Sequence, residues 1–286
     1  VASLSFFVNA GIRFVEENAK MRAFTKLWDR LCLERYGVTD PKARRFRYGV
    51  QVNSLGLTEA QPENNVQRIV LEALGVTLSK SARARSIQLP AWNEALGLPR
   101  PWDQQWSLRI QQVLAFETDL LEYDDIFAGS HVMERLTADL VEGAQAELDD
   151  VLALGGAFEA IDELKGRLVR SHTERMRRLE TGDLRVIGVN CFTETADSPL
   201  DSAENILQVD PAVQGQMIDD VQAWRATRDG EAVQRALDDL RRVAESDENL
   251  MPTTIALATA GGTTGEWAGA LREVFGEYRA PTGVAA

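Results

Sequence analysis

Three short strand-like stretches, residues 4–8, 46–52 and 83–89, alternate with two long helical patterns in the first ninety residues. That alternation is what most constrains the fold. Strands separated by helices can pair only through crossover connections, so the pattern predicts βαβ units and a parallel sheet. The run Leu4-Ser5-Phe6-Phe7-Val8 is apolar-rich and reads as a buried strand. Between residues 10 and 36, Phe24, Leu27, Trp28 and Leu31 fall at i, i+3, i+4 and i+7, with Gly37 as the stop signal. Thr58, Gln61 and Pro62 predict a capping-box start for a second helix running through Leu78. Pro90 closes the third strand. Two βαβ units leave a sheet with open edges, and its functional side chains are expected at the C-terminal ends of the strands.

Beyond Pro90 helices dominate. A short helix is expected at 92–98 and a longer one at 102–123. Another follows at 132–151, ended by Gly155-Gly156, and a further one at 158–179 with a break possible at Gly166. Residues 185–189 read as a lone short strand. The acidic stretch 211–247 reads as two surface helices whose mixed charges form a solvated face. Thr263 and Glu266 predict the cap of a last helix ending at Gly276. Residues 278–286 have linker composition. Trp92, Trp102 and Trp106 are placed at the junction of sheet and helices.

Composition excludes several functions. The net charge is −13, and nucleic-acid binding is driven by counterion release from phosphates, so a general nucleic-acid binder is not expected. Cys32 and Cys191 form neither a disulfide framework nor a CxxC motif, which fits a reducing cytoplasm. His131 and His172 stand in no metal-binding spacing, so no metal site is expected. No apolar run approaches the length that crosses a membrane, and no secretory leader is read. The chain opens on Val1 directly before a strand, which suggests a piece of something longer.

There is no GxSxG, phosphate-binding Gly-rich loop or histidine pair, so no residue is assigned as catalytic. The informative residues are polar ones at strand ends: Ser5 and Asn9; Arg47, Gln51 and Asn53; Arg83, Arg85 and Gln88. Strand side chains alternate, so Arg47, Gly49, Gln51 and Asn53 share one face, as do Arg83 and Arg85. Each one alone is most simply a strand-end cap or a partner of a helix carboxylate. Together they read as a ligand channel, because a buried polar lining is costly unless it meets a ligand. Arg44, Arg45, Arg47, Arg83 and Arg85 form a local basic cluster suited to a phosphorylated ligand. Glu94 follows the third strand at the expected catalytic face, although a lone Glu on a helix is usually a solvated charge.

The segments Ser5-Phe6-Phe7, Ala19-Lys20-Met21-Arg22-Ala23, Gln61-Pro62-Glu63-Asn64-Asn65, Asn93-Glu94-Ala95-Leu96-Gly97-Leu98-Pro99 and Ile187-Gly188-Val189-Asn190 together resemble the adenosylcobalamin-dependent acyl-CoA mutases, the methylmalonyl-CoA mutase large-subunit family. The matches run in order along nearly the whole chain. Within that family, residues 47–58 and 98–106 resemble the ethylmalonyl-CoA mutase branch. The resemblance implies a (β/α)₈ TIM barrel around an acyl-CoA substrate and a separate cobalamin-binding domain. It also implies isomerase chemistry in which homolysis of a cobalt–carbon bond starts a radical carbon-skeleton rearrangement. The three strands become the last of the barrel, followed by a mostly helical extension. Residues 1–100 would be the C-terminal portion of the barrel, 101–277 a helical linker region, and 278–286 a tail towards the cobalamin domain. The resemblance implies Gln51, Glu94 and Gly97 as cofactor-binding, the last where alanine is usual. It implies Ser5 as substrate-binding, and the strand-end arginines Arg47 and Arg85, suited to phosphates or carboxylates, are expected to bind substrate as well.

The sequence also departs from the methylmalonyl-CoA mutase pattern. Ser3 replaces an arginine and Gly49 a histidine, changes expected to reshape the acyl pocket. Arg85 aligns with a family glutamine across a short insertion. The first five strands, the tyrosine-histidine pair, the substrate-carboxylate arginine and the cobalt-ligand motif are not in this sequence. The expectation is therefore a part of a mutase that works with a missing barrel half and cobalamin domain, in a homodimer or heterodimer. The alternatives are methylmalonyl-CoA or another acyl specificity, a non-catalytic interaction subunit, and a CoA-ester binder without radical chemistry.

Overall fold

Strand β1 (Phe6–Ala10), helix α1 (Phe14–Glu34), strand β2 (Tyr48–Val52), helix α2 (Asn64–Thr77) and strand β3 (Ser86–Gln88) follow in the expected order. The computed structural model describes residues 3–200, 202 and 205–278. All strand pairs are parallel, in the order β1-β2-β3. Phe6 pairs with Tyr48 through to Ala10 with Val52, and Gly49 pairs with Ser86 through to Gln51 with Gln88. The α/β class and parallel sheet thus match the sequence. Among the described residues the sheet has three strands and does not close into a barrel.

Alternation gives the sheet two unlike faces. Phe6, Val8, Ala10, Tyr48, Val50 and Ile87 pack in one core with Met21 of α1 and Val76 of α2. Val52, Ile69, Ala73, Leu89 and Trp92 form a second core, joined by Trp106 and Ile110. Val50 and Val52 are fully buried, each worth roughly 2 kcal/mol of transfer free energy. Phe46 stacks on Phe6 and Phe24 at centroid distances of 4.7 and 5.3 Å, which fixes α1 against the sheet. Phe7, Asn9, Gly49, Gln51, Ser86 and Gln88 point the other way, onto a face on which Phe7, Asn9, Ser86 and Gln88 are exposed and which no helix between residues 3 and 200 covers.

Several boundaries shift for physical reasons. The second helix starts at Asn64, not in a capping box at Thr58. Gln61 adopts φ 50°, and the Thr58 hydroxyl donates to the Ala60 carbonyl at 2.8 Å. Residues 92–96 form turns rather than a helix, because Trp92 and Asn93 both donate to Asp103. Helix α3 (Pro101–Phe116) ends earlier than expected. Helix α4 (His131–Ala153) is capped by Ser130, and Gly155 and Gly156 take positive φ. Helix α5 (Ile161–Glu180) passes through Gly166 unbroken. Residues 185–189 are not a strand. They turn, with the Val186 carbonyl accepting from Val189 and Asn190, and leave one bridge between Ile187 and Cys191. Arg22 donates to both Asp125 oxygens at 2.6 and 2.8 Å, which holds the loop before α4 against α1.

The chain divides into two compact units, Val1–Leu207 and Gln208–Ala286. The second contains α6 (Pro211–Thr227), α7 (Gly230–Ala244), α8 (Met251–Thr259) and α9 (Thr264–Phe275). Val233, Leu237, Leu240, Leu257 and Ala270 form its core. The Thr263–Glu266 capping box is present, and α6 and α7 are the two helices expected in the acidic stretch. Hydrogen bonds from Arg228 hold the Glu266 carboxyl far below its ordinary range. The expected tail, apart from Tyr278, lies outside the described residues. No helix among them is long and apolar enough to cross a membrane.

Candidate functional site

The uncovered face of the sheet is ordered along the strands. Parallel register places Asn9, Gln51 and Gln88 in one row across the three strands. Phe7, Gly49 and Ser86 make the row on its N-terminal side. Asn9 and Gln88 are exposed and Gln51 is half-buried. Their amides form a band of donors and acceptors with no side-chain partner among the described residues. The Asn9 carbonyl is held by Lys20 Nζ at 2.8 Å, which ties the end of β1 to α1.

The basic residues sit away from the C-terminal strand ends, where functional side chains are expected. Arg45, Arg47, Arg83 and Arg85 line a cavity of about 690 Å³ with Lys80, at the N-terminal ends of β2 and β3. Arg83 and Arg85 lie before β3, with the Arg85 N–H donating to the Tyr48 carbonyl at 2.8 Å. Ser86 and Gln88, rather than these arginines, line the open face on the third strand. Arg47 donates to the Lys42 carbonyl at 3.0 Å. Arg44 does not join the cluster, because it is held by Asp29 at 2.8 Å. Ser5 is exposed, one residue before β1.

At the other end, the turn after β3 carries Glu94 and Gly97. Glu94 is exposed, and its carboxylate makes no hydrogen bond among the described residues. Gly97 has φ +153°, and a Cβ there would lie 2.7 Å from Ile206 Cγ2, so alanine does not fit. The turn is held from beneath by fully buried Asp103. Its carboxylate accepts from Trp92 Nε1 and Asn93 Nδ2 at 3.0 Å each, and from the Arg100 N–H and Nε at 2.9 Å each. Burial alone would raise this carboxyl, but the hydrogen bonds from Arg100, Asn93 and Trp92 hold it below its ordinary value. Asn65 ties the same turn to α2, donating to the Trp92 and Thr58 carbonyls, while Arg68 reaches the Ile187 carbonyl at 2.9 Å.

A cavity of about 320 Å³ opens beyond the C-terminal ends of β1 and β2, lined in part by Gly11, Asn53, Arg68 and Glu72. Burial, reinforced by Glu17 and partly offset by Arg68, pushes the Glu72 carboxyl up to about 8. Sequence reasoning missed Asp103, Asn65, Arg68 and Glu72 because each is a polar residue in a helical pattern. Only Asp103 had a local signal, its place in the first turn after Pro101.

The methylmalonyl-CoA mutase family model matches residues 1–277. The chain belongs to that family. It is 62% identical over its full length to the ethylmalonyl-CoA mutase of Cereibacter sphaeroides, covering 44% of that protein. It is 59% identical over 98% of its length to the ethylmalonyl-CoA mutase of Methylorubrum extorquens, covering 41% of it. The methylmalonyl-CoA mutase of Cereibacter sphaeroides is 34% identical, with 97% of this chain and 38% of that protein aligned. The chain thus spans less than half the length of these mutase relatives. These relatives are named as acyl-CoA mutases, which are isomerases.

Proposed function

We propose that this chain is part of an adenosylcobalamin-dependent acyl-CoA mutase of the ethylmalonyl-CoA kind, acting on a CoA thioester with the remainder of a longer or multi-chain protein. One arrangement carries the reading: an uncovered sheet face bears an aromatic ring and an amide row, a basic cavity lies at the N-terminal ends of β2 and β3, and an exposed carboxylate stands in the turn after β3. The three strands then form the closing part of a (β/α)₈ barrel, residues 1–100, with 101–277 as a helical linker and 278–286 leading towards a cobalamin-binding domain. Arg47 and Arg85 would receive phosphates of the CoA moiety, and Ser5 would face the thioester arm. Long-range attraction at the basic end suits a multiply charged anion. A homodimer or heterodimer in the cytoplasm completes the proposal.

The residues at the C-terminal end fit the cofactor. A broad, amide-fringed ring system needs an open surface bearing hydrogen-bonding side chains, and Gln51 and Glu94 supply an amide and a carboxylate there. Leu55 is 83% exposed, apolar surface ready to be covered. Gly97 offers backbone where a side chain is excluded. When bound, adenosylcobalamin supplies the carbon-centred radical that begins the rearrangement. The chain's own contribution is positioning: Gln51 and Glu94 orient by hydrogen bonds, the Asp103 frame fixes the turn bearing Glu94, and Phe7 excludes water from the reacting end.

The test is turnover of ethylmalonyl-CoA by the full-length protein carrying this chain, with and without adenosylcobalamin. Cofactor-dependent isomerisation that falls sharply in Glu94→Ala supports the reading. Binding of the CoA ester with no effect of adenosylcobalamin would leave only the CoA-ester binder.

A further inference from the structure

The row formed by Phe7, Gly49 and Ser86 is unlike the amide row beside it. A Cβ at Gly49 would lie 2.8 Å from Phe7 Cε2, 3.1 Å from Phe7 Cδ2 and 2.6 Å from Ser86 Oγ. The Phe7 ring therefore lies down across the glycine, and Ser86 closes in from the other strand. Gly49 itself has ordinary extended geometry as the partner of both Phe7 and Ser86. What glycine provides here is room, not backbone freedom. Any side chain at this position forces the ring to stand up into the open face or pushes Ser86 aside.

Phe7 is 60% exposed, a large apolar surface between a basic end and an amide row. Alternate residues of a strand are roughly 7 Å apart, so the ring lies one such step from Gln51 towards the arginines. A ligand running along the face from phosphate to reacting carbon presents its acyl part at this level. The ring is the apolar surface available to an alkyl branch. We infer that Gly49, by letting the Phe7 ring lie flat, sets the depth of the acyl site and admits a CoA-linked acyl group whose branch is larger than methyl. The inference rests on the reading of this face as an acyl-CoA site.

The experiment compares kcat/KM for ethylmalonyl-CoA and methylmalonyl-CoA in the full-length holoenzyme, with calorimetric binding of both esters measured alongside. Gly49→Ala adds one methyl group against the ring. One methylene is worth roughly tenfold or more in an apolar pocket, so the ratio of ethylmalonyl-CoA to methylmalonyl-CoA should fall by about that factor. Phe7→Ala, at a solvent-open position that should tolerate it, is expected to relax discrimination between the esters. In the double variant Phe7→Ala/Gly49→Ala the part of the penalty that comes from the ring should vanish, leaving only what the contact with Ser86 Oγ adds. A ratio unchanged in Gly49→Ala and in Phe7→Ala, with both proteins folded by circular dichroism and both esters still bound, overturns the inference and leaves the proposed function standing. A parent protein that binds neither ester overturns both.

Discussion

Replacing Asp103 by alanine removes a carboxylate that is fully buried and accepts hydrogen bonds from Trp92, Asn93 and Arg100. The consequences differ among the three donors. Trp92 is 1% exposed, so its Nε1–H is left without a partner. Asn93 Nδ2 keeps the Asn205 carbonyl at 2.7 Å, and Arg100 can turn to water. Orphaning one buried donor and weakening a second costs about 2–4 kcal/mol. At 2–4 °C per kcal/mol for a unit of this size, the melting temperature should drop by about 4–16 °C. Asp103→Asn keeps an acceptor for Trp92 and should cost less. Because the folded Asp103 carboxyl is held below its ordinary value, its contribution is present at neutral pH and fades as pH falls through the carboxylate range. The deficit of the alanine variant should therefore shrink in acid. Urea and thermal unfolding of parent and both variants at neutral and acidic pH provide the measurement. An alanine variant within about 0.5 kcal/mol of the parent, or a deficit that grows in acid, refutes the argument that Asp103 anchors the turn as an anion.

Glu72 should behave in the opposite sense. Its carboxyl stays protonated up to about pH 8 when folded and ionises near pH 4 when unfolded, so stability falls as pH rises through that window and levels above it. Glu72→Gln should flatten this slope in urea midpoints between about pH 5 and pH 9; an unchanged slope assigns it to other groups. Gly97→Ala places a methyl 2.7 Å from Ile206 Cγ2 at φ +153°, and should cost about 1–3 kcal/mol in urea unfolding, part of it recovered by adding Ile206→Ala. Arg85→Glu reverses a charge in the basic cavity and should weaken CoA-ester binding about tenfold at low salt and less at high salt, leaving adenosylcobalamin binding unchanged. Equal affinity at low salt would remove Arg85 from the ligand path.

The legible parts of this chain were those set by local chemistry. Alternating apolar stretches and 3.6-residue periodicity specify the strands and α1, and the Thr263–Glu266 box specifies the start of α9. Where specific side-chain hydrogen bonds compete with propensity, the local reading failed. Asp103 pulls residues 92–96 out of a helix, and Thr58 spends its hydroxyl on Ala60 instead of capping α2. In the candidate site, the face of Gln51 follows from alternation alone. The position of the arginines did not, because Arg83 and Arg85 lie in the approach to a strand that begins only at Ser86.

By itself, then, the sequence determined the parallel α/β class, the family and the identity of the polar residues, since periodicity and ordered motifs are properties of the chain alone. Only the tertiary structure decided that Arg83 and Arg85 precede their strand, which buried carboxylate supports the Glu94 turn, and that Phe7 lies across Gly49. Those depend on strand register and on contacts between residues apart in the chain, and a register shift of a single residue would turn the strand side chains, Phe7 among them, to the other face.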